Sequence, residues 1–196
     1  MTRSRAEKIG DAAIAILAEQ GMRALTHRNV DKATGLPAGT TSNYARTRAA
    51  LVKLALARMT ERETAEIAAL MPADPPATLE GYADLSARII HHSITDARQR
   101  MLARYELAME ATRTPELRAE YDEAGRAYRE STPALLAAAG SPDPARHARM
   151  LVAWSEGVMF DTLAGAGGTH IPSVEELRTS VAELMATMIP AAPGRP

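Results

Sequence analysis

Between residues 9 and 17 the apolar side chains Ile9, Ala12, Ala13, Ile16 and Leu17 recur at steps of three and four, and Gly21 follows. That spacing lines one face of a helix and fits no strand, whose faces alternate at every second residue. The glycine suits the left-handed position that closes a helix. The same punctuation continues. Thr26 caps a second helix, with Val30 and Ala33 expected inward, and Thr34-Gly35-Leu36-Pro37 ends it. Gly35 supplies the turn, Leu36 tucks between helices, and Pro37 opens a short third helix reaching Tyr44. Thr47 caps a fourth helix, from Arg48 to about Leu70, and Met71-Pro72-Ala73-Asp74-Pro75-Pro76 breaks it. Thr78 caps a helix to about Asp96, and another spans Gln99–Thr112. Thr114-Pro115 starts the next, which Pro133 is expected to kink or break near Thr132. Gly140 closes that segment, Ser141-Pro142-Asp143 opens a helix to about Ala164, and Gly165–Gly168 is a flexible connection. Ser173 and Glu176 form a capping box for a last helix ending at Pro190. The expected fold is all-α, with about nine helices and no credible strand. Composition agrees: aromatics are 4 %, with one Trp and one Phe, and sandwiches or barrels lean on such residues.

The chain has no cysteine, which excludes a disulfide scaffold, a thiolate metal site and a cysteine nucleophile. No apolar run is long enough to span a membrane, and the first residues are polar, so a soluble cytoplasmic protein is expected. Formal net charge is -1, which argues against a polyanion partner until it is divided along the chain. Residues 1–53 hold nine basic and four acidic residues and carry +5; the remainder carries −6. One end is suited to meet a polyanion while the body is not. The division expected is a DNA-binding domain over 1–53, its fourth helix running on as a connector to about 70. A second domain follows over 54–190, then a disordered tail over 191–196.

The third helix carries Thr40, Thr41, Ser42, Asn43 and Tyr44, a polar run without charge. A solvated helix usually carries Glu, Lys and Arg, whereas hydroxyls, an amide and a phenol suit base edges and phosphates. Helix, glycine turn and polar helix make a helix-turn-helix, whose second helix enters the major groove. An ordinary helical hairpin in a bundle is the plainer alternative. At the start of the fourth helix Arg48 adds charge where free N–H groups favour phosphate.

These residues resemble the TetR/AcrR family of bacterial transcriptional regulators. The pattern is Gly21, Leu25-Thr26, Val30, Ala33-Thr34-Gly35-Leu36, Gly39-Thr40 and Leu51, within about the first 55 residues. The chain departs from the family in three places. Ser42 stands where a Tyr is common. Tyr44-Ala45 replaces His or Tyr followed by Phe, which removes a core contact. Arg48 replaces a frequent Lys. The resemblance implies that residues 54–190 form a ligand-binding and dimerisation domain, and it implies roles for single residues. Thr26 caps the second helix and touches phosphate, and Arg28 is the candidate for a bidentate guanine contact. His27 is a further candidate DNA contact or a solvated side chain. Thr40, Thr41 and Asn43 face the groove behind the lead-in Pro37-Ala38-Gly39. Tyr44 and Arg48 hold backbone phosphates, while Arg46 and Lys53 lie near the surface.

The last two helices carry apolar-to-small faces: Leu151, Ser155, Val158 and Met159 on one, and Val174, Leu177, Val181, Leu184, Met185 and Met188 on the other. Such faces pack inside a monomer or, as the resemblance implies, pair with their copies in a homodimer. Two short reading helices then meet two half-sites of a palindrome together. Candidate pocket residues for a small-molecule effector fall on the middle helices: Tyr82 and His91, then Tyr105, Glu106, Met109 and Glu110, then Tyr128, and finally Trp154, Phe160 and Asp161. The alternative for each is core filling. His91-His92 is a poor metal motif, because adjacent helical residues point about 100° apart. No nucleophile elbow or phosphate loop occurs, so neither catalysis nor a cofactor is expected. The expected function is a ligand-responsive repressor acting on duplex DNA. The alternatives are a helical ligand-binding protein or enzyme without operator binding, and a nonspecific nucleoid-type binder.

Overall fold

The computed structural model describes residues 4–74, 76 and 78–189, apart from the side chains at 127, 128 and 131. The expected tail at 191–196 and the expected helix end at Pro190 therefore lie outside the described residues. Nine α-helices occur there: α1 (Arg5–Gln20), α2 (His27–Thr34), α3 (Thr40–Tyr44), α4 (Arg48–Leu70), α5 (Leu79–Ile94), α6 (Arg98–Ala111), α7 (Pro115–Ala138), α8 (Pro144–Leu163) and α9 (Val174–Met188). A short 3₁₀ turn, Met22–Ala24, joins α1 to α2. No strand occurs among the described residues, and no helix there is long and apolar enough to cross a membrane.

Caps set most boundaries. Thr26, Thr78 and Asp143 accept from the third residue of α2, α5 and α8, and Thr47 accepts from the Ala50 N–H at the start of α4. Capping boxes open α1 (Ser4 and Glu7) and α9 (Ser173 and Glu176). Two boundaries correct the expectations. Pro133 lies inside α7 rather than at its end. The buried Leu136 beyond it anchors the last turns, which offsets the hydrogen bond that proline cannot donate. Pro37 precedes α3 rather than opening it. Gly39, in the left-handed region at φ 87, cannot continue a helix, so α3 begins only at Thr40.

Contacts divide the chain into two compact units. The first comprises residues 1–66 and 97–125, so it contains α1–α3, α4 as far as Glu66, α6 and the start of α7. Ile9, Ala13, Ile14 and Leu17 of α1 pack with Leu25, Val30, Leu51 and Leu56, and with Ala103 and Leu107 of α6. Gly10 lets α1 approach α4 closely, since a Cβ there would lie 2.8 Å from Arg58 Cβ. The Arg58 guanidinium then bridges the two helices, donating to Asp11 at 2.8 Å and to Glu61 at 2.9 Å. Arg100 of α6 is buried beside α4, 2.9 Å from Glu66 and 3.3 Å from Glu63. The second unit comprises residues 67–96 and 126–196, and there α5 packs on α9 and α8.

Candidate nucleic-acid interface

The helix-turn-helix is built from α2, α3 and the turn between them. α2 ends in a Schellman arrangement: Gly35, at φ 66, donates to the Lys32 carbonyl, and Leu36 donates to that of Asp31. Leu36 is half-buried against the core, where the sequence placed it. The inward stripe of α2 is His27, Val30, Asp31 and Thr34, spaced at three and four. Ala33, expected inward, lies off that stripe and is exposed, while Asp31 takes the buried place beside Val30.

Asp31 is the feature the sequence reading missed. Its Oδ2 accepts from the Gly39 N–H at 2.7 Å. Its Oδ1 accepts from the Thr41 N–H at 2.8 Å and the Thr41 hydroxyl at 2.6 Å. Burial alone pushes this carboxyl up, but the Thr41 hydroxyl and the N–H groups of Thr41 and Gly39 outweigh it, and His27 adds a favourable field. The net result is a carboxylate held below its ordinary range. The signal was present in the register: Asp31 is four residues after His27 and three before Thr34, on the face that Val30 marks as buried.

Thr41 corrects a second expectation. It is fully buried and bonded to Asp31, so it does not face a groove. His27 is likewise engaged with the protein: Nε2 lies 2.6 Å from the Ala45 carbonyl oxygen and must carry the proton, because a carbonyl only accepts. Ala45 itself is buried, so the position where the resemblance expects Phe remains a core position with a smaller side chain. Arg48 is also partly committed. Its two terminal nitrogens donate to the Leu25 and Met22 carbonyls at 2.7 and 2.5 Å, which ties the start of α4 to the segment before α2. The phosphate role expected for Arg48 therefore competes with these bonds.

The outward set is what remains. Thr26, Arg28, Pro37, Ala38 and Gly39 are exposed, as are Ser42, Asn43 and Tyr44 on α3. Thr40 is half-buried and donates its hydroxyl to the Pro37 carbonyl. Arg46 is exposed, and Lys53 pairs with Glu120 at 2.6 Å.

The candidate pocket residues fall in both units. Tyr105, Glu106, Met109 and Glu110 belong to the first unit, and Tyr82, His91, Trp154, Phe160 and Asp161 to the second. On α6 the inward positions are Arg100, Met101, Ala103, Leu107 and Ala111, which leaves Glu106 and Met109 facing out. Glu110 is half-buried beside Arg113 and Thr114. Tyr82 is buried, and His91 and Trp154 are half-buried. Phe160 is half exposed, and exposed Asp161 accepts from the Gly167 N–H, closing the glycine turn after α8. The Tyr128 side chain lies outside the described residues. No group of three or more metal-ligating side chains occurs among the described residues.

The expected dimer faces are in large part packed within the second unit. Leu177, Val181, Met185 and Met188 are buried within the second unit, where α9 packs on α5. Leu151, Ser155 and Met159 lie on the buried face of α8, with the Ser155 hydroxyl bonded to the Leu151 carbonyl. Only Val158, Val174 and Leu184 of that set are half-buried. The stripe was read correctly as apolar, but its partner is the unit's own α5. The opposite face of α8 presents Met150, Ala153, Gly157 and Phe160 to solvent, with Trp154 half-buried among them.

Known proteins give a consistent answer. The family model described as tetracyclin repressor-like, C-terminal domain, matches residues 77–191. The multidrug-binding protein EbrR, solved with imidazole, is 30 % identical, covers 98 % of each chain and superposes with a TM-score of 0.67. A TetR-family member from Streptomyces coelicolor A3 is 30 % identical over 96 % of this chain and 100 % of its own, with a TM-score of 0.70. A transcriptional regulator from Rhodococcus sp. Rha1 shares the fold at 18 % identity and a TM-score of 0.77, covering 94 % of this chain and 96 % of its own. No curated protein matches the sequence.

Proposed function

Since this chain belongs to the TetR family of transcriptional regulators, we propose that it is a repressor. It binds a palindromic operator as a homodimer and is released by a small organic effector. Residues 1–53 are the reading domain, α4 its connector, and residues 54–190 the ligand-binding and dimerisation domain. The observation that carries the reading is the division of α2 and α3 into two faces. His27, Asp31 and Thr41 are consumed inside, while Arg28, Ser42, Asn43 and Tyr44 stand outside, uncharged but for one guanidinium. Hydroxyl, amide and phenol groups are suited to base edges and phosphates, and Arg28 to a bidentate guanine contact. Thr26, Thr40 and the Pro37–Gly39 turn frame that face.

One five-residue reading helix offers few contacts, so two heads about 34–36 Å apart are needed to read two half-sites. The outer face of α8 is the surface for pairing two copies. Gly157 has open space where a Cβ would lie, and Met150 and Phe160 supply apolar area around it. Release follows if the effector has higher affinity for a conformation whose heads do not match the half-site spacing. The relative EbrR was solved with imidazole, ethidium and proflavin, which makes these compounds the first probes.

The test begins with duplexes selected from genomic fragments by the full-length protein. In fluorescence anisotropy, Arg28→Ala is expected to lose about 1–3 kcal/mol of affinity on the selected operator and little on random duplex. Equal loss on both refutes the role given to Arg28. No affinity for any duplex at low salt refutes operator binding altogether and leaves a ligand-binding protein.

A further inference from the structure

We propose that α2 grips the reading helix at both ends, with Asp31 and His27 as positioning residues that set the pitch of α3 and thereby its sequence discrimination. The inference rests on the operator-binding reading above for its function, but the grip itself does not.

α3 has five residues, far fewer than the roughly 12–15 at which an isolated helix becomes even marginal. It needs holding from outside, and its own sequence offers no cap. Gly39, at the N-cap position, has no side chain to accept a hydrogen bond. The acceptor comes instead from another helix. Asp31 takes the Gly39 N–H, the Thr41 N–H and the Thr41 hydroxyl on its two oxygens. At the other end, the first residue beyond α3 offers its carbonyl, and His27 Nε2 donates to it at 2.6 Å. His27 and Asp31 are four residues apart on the buried face of α2 and so project from successive turns of one helix. One helix thus supplies an acceptor where α3 has spare donors and a donor where it has a spare acceptor.

The grip has a chemical corollary. The Gly39 and Thr41 N–H groups at the start of α3 are turned to a carboxylate, which repels a phosphate placed beside it. α3 is therefore left to read through the side chains of Ser42, Asn43 and Tyr44, and their aim depends on how firmly the helix is held. Phosphate contacts made elsewhere fix the register on the duplex, and the angle of α3 decides which base edges are met. Loosening the grip should erode discrimination while leaving general affinity in place.

The experiment uses the full-length protein and the variants Asp31→Asn, His27→Ala and His27→Gln. Without DNA, amide exchange by NMR is expected to find Gly39 and Thr41 protected in the parent protein. In Asp31→Asn at least one of the two should exchange about tenfold faster or more, with α1 amides unchanged, because Asn keeps one acceptor oxygen and its amide nitrogen cannot accept a bond. On DNA, Asp31→Asn and His27→Ala should each lose about tenfold or more on the selected operator and less than about twofold on random duplex. His27→Gln, whose amide nitrogen can donate to the Ala45 carbonyl, should recover most of the His27→Ala loss. Unchanged exchange at Gly39 and Thr41 in Asp31→Asn overturns the grip whatever DNA does. Equal loss on both duplexes, or no recovery with Gln, overturns its positioning role. A parent protein that exchanges as expected but prefers no duplex refutes operator reading alone. If Asp31→Asn unfolds by circular dichroism, the His27 pair decides the question.

Discussion

At the scale of single residues, Asp31 links structure to pH. Its folded-state carboxyl is held below the ordinary aspartate range, so ionisation favours the fold. That contribution is complete above the unfolded value, near 3.9, and is lost as pH falls through the lowered folded value. Chemical denaturation of the parent protein should therefore give a stability that declines with acid below about pH 5, and the decline should be shallower in Asp31→Asn. Other depressed carboxylates, such as Glu7 and Glu176, keep part of the slope. Residue roles were the least legible part of the sequence. Thr41 and Thr40 look alike in a polar run, yet one is buried on Asp31 and the other is half-buried on the Pro37 carbonyl. A charged residue inside a short helix reads as solvated by default. Only the stripe His27, Val30, Asp31 and Thr34, counted in register, would have marked Asp31 as inward.

At the scale of elements, caps and glycine turns were readable because each is a local rule with a local cause. Thr26, Gly35, Thr78, Asp143 and the Ser173–Glu176 box all act where the sequence put them. Helix partners were not readable, because periodicity identifies an apolar face and says nothing of what covers it. The α9 stripe therefore served equally well for packing on α5 or on a second copy. Charge between helices is a further case. Arg100 is buried with Nε and Nη1 lacking hydrogen bonds, so its attraction to Glu66 and Glu63 is offset by desolvation. Arg100→Met, which keeps the stem volume, is expected to change stability by less than about 1 kcal/mol. Glu66→Ala leaves the buried guanidinium with only the longer Glu63 contact and should cost about 2–3 kcal/mol. Urea unfolding of the two variants checks the asymmetry, and equal costs would refute it.

For the whole molecule, the proposed dimer makes the outer face of α8 decisive. Phe160→Asp should shift the sedimenting species towards monomer at micromolar concentration and weaken operator binding at least about tenfold, because each head then binds alone. An unchanged dimer would move the interface elsewhere. The Lys53–Glu120 pair and the carbonyl bonds of Arg48 have a consequence in counterions. The N-terminal segment carries nine formal cations, but binding is driven only by those that displace ions from the duplex. Arg23, Arg28, Lys32 and Arg46, on or beside α2 and α3, are exposed and have no acidic partner among the described residues. Four such contacts give a slope of log affinity on log salt of about −4 per head, against about −8 if all nine took part. A regulator with the shallower slope releases fewer ions on every stretch of DNA it samples. It holds random sequence more weakly at low salt than its formal charge suggests and loses less of that hold as salt rises, and a larger share of its operator affinity is left to groups that carry no charge.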